Sequence, residues 1–342
     1  MSKRVTLSDV AARAGVSPTA VSLVLNDRPG SRLSDDARQR IRTAAAELGY
    51  RPDPAARSLR IGKTRTIGFV SFDVSITRYA SAIIRGALDQ ADRLEHTVLM
   101  AEAGDHRDRM VRAIDAMLDR RVDGIVMAEM GAKEIDVPRH LPRDLPVVMV
   151  NATSSDGHPS VLPDEKVAGR QVTQLLLDAG HRRIALIGVA DELRDLRRSA
   201  TVGQRYDGIF EALSEAGVDP SPVVSETIWE PEVGYRSLLR MLDDGASFTG
   251  VVCLNDRLAF GVYEAARQRG LRIPEDLSVV SFDDDVIATY VRPRLTTAEI
   301  PYERMGRLAV DMLLGEAEPS HQLVPMPLRL RESVAPPRTR DS

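Results

Sequence analysis

The chain is short of cysteine, of tryptophan and of long apolar runs, and each shortage excludes something. A single cysteine among 342 residues, Cys253, rules out an internal disulfide. Its place in the apolar run GVVCLND reads as a buried structural thiol in a reducing compartment. No run of about 18 apolar residues is present to span a bilayer, and MSKRVTLSDV lacks the apolar core of a signal peptide. The expected location is therefore the cytoplasm, with no membrane partner. The six histidines are scattered, with no His-x-x-x-His pair and no paired cysteines to hold a metal, and there is no Gly-x-Ser-x-Gly elbow. His181, in AGHRRIALIG, reads as a helix-end cap, and Asp283-Asp284-Asp285 as a strand-end rim or a ligand contact. The expectation is a protein that is not an enzyme and needs neither cofactor nor metal.

What is present is a charge asymmetry. Residues 1–64 hold 12 Lys or Arg against 6 Asp or Glu, a balance of +6, so a chain of net charge −4 leaves −10 for the remainder. A basic module on an acidic body fits contact with phosphates at one end only.

That module reads as three short helices. Thr6-x-x-Asp9 forms a capping box before Leu7, Val10 and Ala11, and Gly15 stops the first helix. Ser17 caps a second helix with Pro18 in its first turn and Val21, Val24 and Leu25 inward. Ser34 opens a third, with Ala37, Ile41, Ala45 and Leu48 as its buried face and Gly49 as its end. Two helices joined by a tight turn can set the second into a DNA major groove, leaving Ser17, Pro18, Thr19, Ser22 and Leu23 as readers.

The next stretch, PDPAARSLRIGKT, is a candidate hinge. Asp53 followed by Pro54 is a cap and first-turn proline, and two helical turns can run to Gly62. Alone, such a helix is marginal. If two copies meet over a minor groove, Ala55 and Ala56 permit close approach, Arg57 and Arg60 reach phosphates or the groove floor, and Leu59 enters a base step as a wedge. The alternative is a linker leucine resting on its neighbour. Gly62-Lys63-Thr64 imitates the end of a P-loop, but Arg57 occupies the position of its first glycine.

From residue 65 short β-rich runs alternate with helical patterns. TIGFVSF, TVLMAEA, GIVMAEM and PVVMVN read as strands with helices at 79–95 and 107–121 between them. After a helix at 165–179 the pattern repeats in RRIALIGV, VVSETIW, GVVCLND and LSVVSFDD, with helices near 203–216, 232–243 and 256–269. Two such sets predict two parallel sheets, helices on both faces, and a cleft lined by the carboxyl ends of strands. Asp73, Tyr79, Asp164, Arg205, Trp229, Asn255, Asp256 and Asp283 fall at those ends. Carboxylates, an amide and an arginine suit vicinal hydroxyls, and the one tryptophan suits the apolar face of a sugar ring, with core packing as its alternative.

VTLSDVAARAGVSPTAVSLVLN and LSDDARQRIRTAAAELGYRPDPAARSLRIGKTRTIGFV closely resemble the head and hinge of the lactose/galactose repressor (LacI/GalR) family, and the rest of the chain matches as well. The resemblance implies an all-α helix-turn-helix head on a two-lobed α/β body like a periplasmic binding protein, with two parallel doubly wound sheets. It implies a homodimer on double-stranded, near-palindromic operator DNA, with hinge leucines prying open the central step. Its DNA-facing set is Thr6, Ser17, Pro18, Thr19, Ala20, Ser22, Leu23, Asn26, Ala56, Arg57, Leu59 and Arg60. Family members often carry arginine or histidine where Leu23 stands, and asparagine where Asp53 stands.

For the body, QRYDG carries the family's effector-contacting arginine at Arg205, VVCLNDRLAFG its Asn-Asp pair at Asn255 and Asp256, VVSFDD its aspartate at Asp283, and LPDEKVAG an aspartate at Asp164. Trp229 resembles the sugar-stacking aromatic. Where relatives have Asn-Pro-Phe after the first strand, this chain has Thr77-Arg78-Tyr79, and Arg257 follows the Asn-Asp pair. Arg78 and Arg257 could serve an anionic sugar or face solvent. The expected domains are 1–50, a hinge at 51–64, and a core at 65–342, with an N-lobe of about 65–163 plus 295–322 and a C-lobe of about 164–294 plus 323–342. VAPPRTRDS carries no apolar heptad tail, so a dimer is expected rather than a tetramer. The resulting expectation is a transcriptional repressor answering to a sugar or sugar derivative, with a periplasmic-type sugar-binding protein as its rival.

Overall fold

The computed structural model of the chain describes residues 5–25, 33–50, 62–77 and 81–338, and divides into two compact units, Met1–Arg65 and Thr66–Ser342. In the first unit, α1 (Leu7–Ala14), α2 (Pro18–Leu25) and α3 (Asp35–Glu47) follow from their caps. The Thr6 hydroxyl accepts from the Asp9 N–H at 3.3 Å while the Asp9 carboxylate accepts from the Thr6 N–H at 2.8 Å. Gly15, at φ 67°, takes the left-handed turn that ends α1. Ser17 caps α2 through the Ala20 N–H at 3.2 Å, and Ser34 caps α3 through Ala37. Val10, Ala11, Ala14, Val21, Val24, Ile41, Ala44 and Ala45 form one small core, and Arg40 of α3 donates to the Ala14 carbonyl at 3.0 Å.

The second unit contains two six-stranded sheets. The first is built from β1 (Thr66–Phe72), β2 (Thr97–Glu102), β3 (Ile125–Glu129), β4 (Val147–Val150) and β5 (Ser160–Pro163), with α4 (Ser81–Arg93) and α5 (Arg107–Asp119) between strands. The second uses β6 (Ile184–Ile187), β7 (Val223–Val224), β8 (Gly250–Cys253), β9 (Ser278–Asp283) and β10 (Thr296–Glu299). Its connections are α6 (Glu165–Asp178), which leads in from β5, then α7 (Val202–Glu215), α8 (Pro231–Asp243), α9 (Asp256–Gln268) and the short α10 (Ile287–Tyr290). The chain then passes through α11 (Tyr302–Leu314), β11 (His321–Val324) and β12 (Leu328–Arg329). Strand orders are β11-β5-β4-β3-β1-β2 and β12-β10-β9-β8-β6-β7. Central strands such as β3, β4 and β8 are buried along their length, as parallel strands covered on both faces must be.

Three details differ from expectation. β10 pairs with β9, Thr296 opposite Val280, so residues 296–299 belong to the C-lobe and the passage back to the N-lobe comes after Glu299. β11 pairs with β5, so residues 323 and 324 belong to the N-lobe, and β12 is an antiparallel edge on an otherwise parallel sheet. The segment VVSETIW forms only the two-residue β7, leaving Trp229 in an irregular stretch before α8 rather than at a strand end.

Reciprocal glycines set the helix pairs that frame the cleft. A Cβ on Gly86 of α4 would lie 1.9 Å from the Glu303 carbonyl oxygen, and one on Gly306 of α11 would lie 2.1 Å from that of Ile83. Gly169 and Gly208 do the same for α6 and α7, and Gly234 and Gly261 for α8 and α9. Only a hydrogen fits at these contacts, so the helix backbones touch. The first turns of each pair are thereby brought side by side: Glu165 beside Arg205, Glu230 beside Arg257, and Ala82 near Glu303.

Candidate functional site

Between the two lobes of the body lies a cavity of about 560 Å³. The N-lobe side contributes Ala82, Met130, Tyr302 and Glu303. The C-lobe side contributes Trp229, Glu230, Asn255, Arg257 and Asp283–Val286, with Glu299 and Ile300 from the crossing strand.

Trp229 lines this cavity half-buried and also packs on the C-lobe core. Its Nε1 donates to the carbonyls of Gly188 at 3.0 Å and Glu226 at 3.2 Å. Gly188 cannot be larger, because φ is 105° and a Cβ would stand 2.7 Å from Leu258 Cδ1. Asn255 caps α9, accepting from the Leu258 N–H at 2.8 Å and donating to the Trp229 carbonyl at 3.3 Å. One lone pair and one N–H of its amide remain.

Arg205 does not line the cavity. It is 2% exposed, with each of its three nitrogens engaged beneath the floor: Nε and Nη2 each meet a Glu165 carboxylate oxygen at 2.7 Å, and Nη1 donates to the Leu254 carbonyl. The guanidinium lies 4.4 Å from the Phe282 ring centre and 5.7 Å from that of Trp229. Its Nη2 also stands 3.7 Å from Asp283, so two carboxylates share one cation. Asp283 itself faces the cavity from a strained backbone, φ 104°, followed by Asp284 at φ 54°. Burial pushes the Asp283 carboxyl up to about 6 against the pull of Arg205, with Glu165 and Asp285 adding to the rise.

Other expected contacts lie elsewhere. Asp164 caps α6 through the Val167 N–H at 3.2 Å, and Asp73, at φ 62°, donates its N–H to Glu102; neither lines the cavity. Asp256 is fully buried, accepting from Ser281 and, at 2.7 Å, from the Asp285 N–H, so it braces the aspartate turn from behind. Arg257 does line the cavity, but Nε and Nη2 both meet Glu230. Arg78 and Tyr79 lie outside the described residues. His181 is buried, its ring bridging Thr249 and the Ala335 carbonyl rather than capping a helix, and burial lowers its pKa. Cys253 is buried, with its thiol pushed up by desolvation. Glu165, Glu230, Glu299, Glu303, Tyr302 and Met130 were not anticipated; the carboxylates among them are ordinary helix-start or strand-end residues in sequence, without a motif to mark them.

In the head, Ser17, Pro18 and Thr19 are exposed, and Ser22 and Leu23 half-buried, on one side of α2. Ala20 is buried in the head core, so it is not a surface residue, because it faces inward with Val21 and Val24. The Thr6 hydroxyl is engaged with Asp9. Asn26, Ala56, Arg57, Leu59 and Arg60 lie outside the described residues.

Residues 6–53 match the bacterial regulatory proteins of the lacI family, and residues 173–334 the periplasmic binding protein-like domain. The chain is 32% identical over 311 residues to the HTH-type transcriptional regulator RegA of Clostridium saccharobutylicum, covering 90% of this chain and 91% of that protein. The chain belongs to the LacI family. The ribose operon repressor of Haemophilus influenzae is 31% identical, covering 90% of this chain and 91% of that protein. A crystal structure of the Lac repressor dimer bound to operator and the anti-inducer ONPF superposes with a TM-score of 0.78 at 27% identity, over 97% of this chain and all of that one. A complex of the regulator CelR with cellobiose gives 0.64 at 27% identity, over 96% of this chain. As a LacI-family member the protein is a DNA-binding transcriptional regulator with a ligand-binding core, not an enzyme. Among the described residues no helix is long and apolar enough to cross a membrane, and no cluster of side chains could hold a metal.

Proposed function

We propose that the protein is a cytoplasmic homodimeric repressor whose hold on a near-palindromic operator is set by a sugar-like effector between the lobes of its core. The observation that carries this reading is the cavity itself. An indole, an amide with spare hydrogen-bonding capacity and a turn of carboxylates face one space at the junction of the two lobes. Each half-site would be read by Ser17, Thr19, Ser22 and Leu23 on one α2: hydroxyls for phosphates or base edges, and an apolar side chain for a thymine methyl. Leu59, with Ala56, Arg57 and Arg60 beside it, supplies the minor-groove wedge.

The coupling follows from linkage. A ligand that favours one orientation of the lobes shifts the spacing of the two hinges in the dimer, and so the folding of the hinges on DNA. A coupling of about 1–3 kcal/mol changes operator affinity by roughly 5- to 150-fold. Trp229→Ala is expected to weaken effector binding by at least about tenfold, through lost stacking area, while effector-free operator binding stays as it was. An unaltered ligand titration would return Trp229 to a purely packing role.

A further inference from the structure

We propose that the effector is a polyhydroxylated compound carrying a protonated amine, of the amino-sugar class, and that the cleft rejects phosphorylated and acidic sugars. This rests on the reading that the inter-lobe cavity holds the effector, and it goes further by fixing the charge of that ligand.

The cavity wall is acidic. Among the described residues, Glu230, Asp283, Asp284, Asp285, Glu299 and Glu303 line it against one arginine, Arg257. Most of these carboxylates are already matched. Arg257 is held by Glu230, Arg331 meets Asp284 at 2.5 Å, Arg329 meets Glu299, and Arg307 meets Glu303. Two are left. Asp283 shares Arg205 with Glu165, which takes two of that guanidinium's donors at 2.7 Å and leaves Asp283 at 3.7 Å. Asp285 accepts the Ile287 N–H at 3.2 Å, and among the described residues no cation stands within ion-pair reach of it.

The fold keeps these two charges facing the cavity at a cost. Asp283 and Asp284 hold left-handed backbones, and buried Asp256 anchors the turn through the Asp285 N–H. An ammonium placed against Asp283 and Asp285 would gain charge-assisted hydrogen bonds from both in a partly desolvated site. A phosphate or carboxylate there would meet like charge. Arg257 cannot offset that repulsion, because Glu230 occupies it. Trp229 and the remaining capacity of Asn255 serve the ring and its hydroxyls, which leaves the amine for the aspartates.

The test uses the full-length protein and matched hexoses: glucosamine, N-acetylglucosamine, glucose and glucose 6-phosphate, then the galacto and manno series. Isothermal titration at pH 7 should show one amine binding at least about tenfold tighter than its own acetylated and hydroxyl counterparts, a difference of about 1.4 kcal/mol, and its phosphate failing to bind. Asp285→Asn, whose amide oxygen can still accept from Ile287, should bring amine and hydroxyl forms to within about threefold of each other. A tighter neutral or phosphorylated member, or no binding by any amine, overturns the proposal. The underlying reading fails separately. If a hexose binds equally well to Trp229→Ala and to Asn255→Ala, both on the cavity wall, the cleft is not the effector site, whatever the ligand's charge.

Discussion

Replacing Arg205 with methionine is expected to destabilise the body by about 3–5 kcal/mol, the cost of leaving one member of a buried ion pair uncompensated. Glu165 is 1% exposed and has both carboxylate oxygens on Arg205 at 2.7 Å, so the substitution strands a charge beneath the cleft floor. It also frees the Leu254 carbonyl of its donor and removes the cation over Phe282. Urea denaturation monitored by the fluorescence of Trp229, which packs near this group, measures the effect directly. Adding Glu165→Gln should recover part of the loss, because the double variant removes the buried Glu165 charge and leaves only the more exposed Asp283 without its cation. A single variant within about 1 kcal/mol of the parent would show that this pair is not the structural tie described, and would reopen Arg205 as a ligand contact.

Leu59→Ala is expected to reduce specific operator affinity by about 100-fold, in line with removing a central hot-spot side chain, while binding to non-operator DNA at the same salt concentration changes little. Leu59 lies outside the described residues, and the expectation rests on the pattern Asp53-Pro54, Ala55-Ala56 and the flanking Arg57 and Arg60. A wedge acts only where two hinges meet over one deformable base step, so its loss should be confined to the specific complex. Leu59→Met, which keeps an apolar side chain of similar volume, should retain most of the affinity. Equal operator binding by the alanine variant would make Leu59 a packing residue of the linker.

The head was legible in the sequence because its signals are local. Thr6 with Asp9, Gly15, Ser17 with Pro18 and Ser34 each act within four residues, and the structure uses all of them. The longer strands of the body were legible for a similar reason, since β1, β3, β4, β8 and β9 are apolar runs buried on both faces. The lobe boundary was not. β10, β11 and β12 are four, four and two residues long, and their sheet membership depends on partners such as Val280 and Ser160 far away in the chain.

The cleft shows the same division. The strand-end rule located Trp229, Asn255 and Asp283 on its wall, and Arg257, marked only by its place after the family's Asn-Asp pair, lies there too. It could not tell a side chain that faces the cavity from one that caps a helix, as Asp164 does, or braces a turn, as Asp256 does. Arg205 was misplaced for a related reason. Its partner Glu165 is 40 residues away, and only the Gly169–Gly208 contact between α6 and α7 makes them neighbours. The acidity of the wall was hidden because Glu299 and Glu303 arrive on the second passage between lobes, far in sequence from the first strands.

The most direct test of the account is selection of bound sequences from random duplex DNA by the full-length protein, at fixed salt, with and without each hexose of the matched panel. The account predicts a near-palindrome recovered in the absence of ligand, its enrichment altered by one amine-bearing sugar and by none of the phosphorylated ones. Salt-sensitive binding that enriches no sequence, with or without ligand, would contradict it.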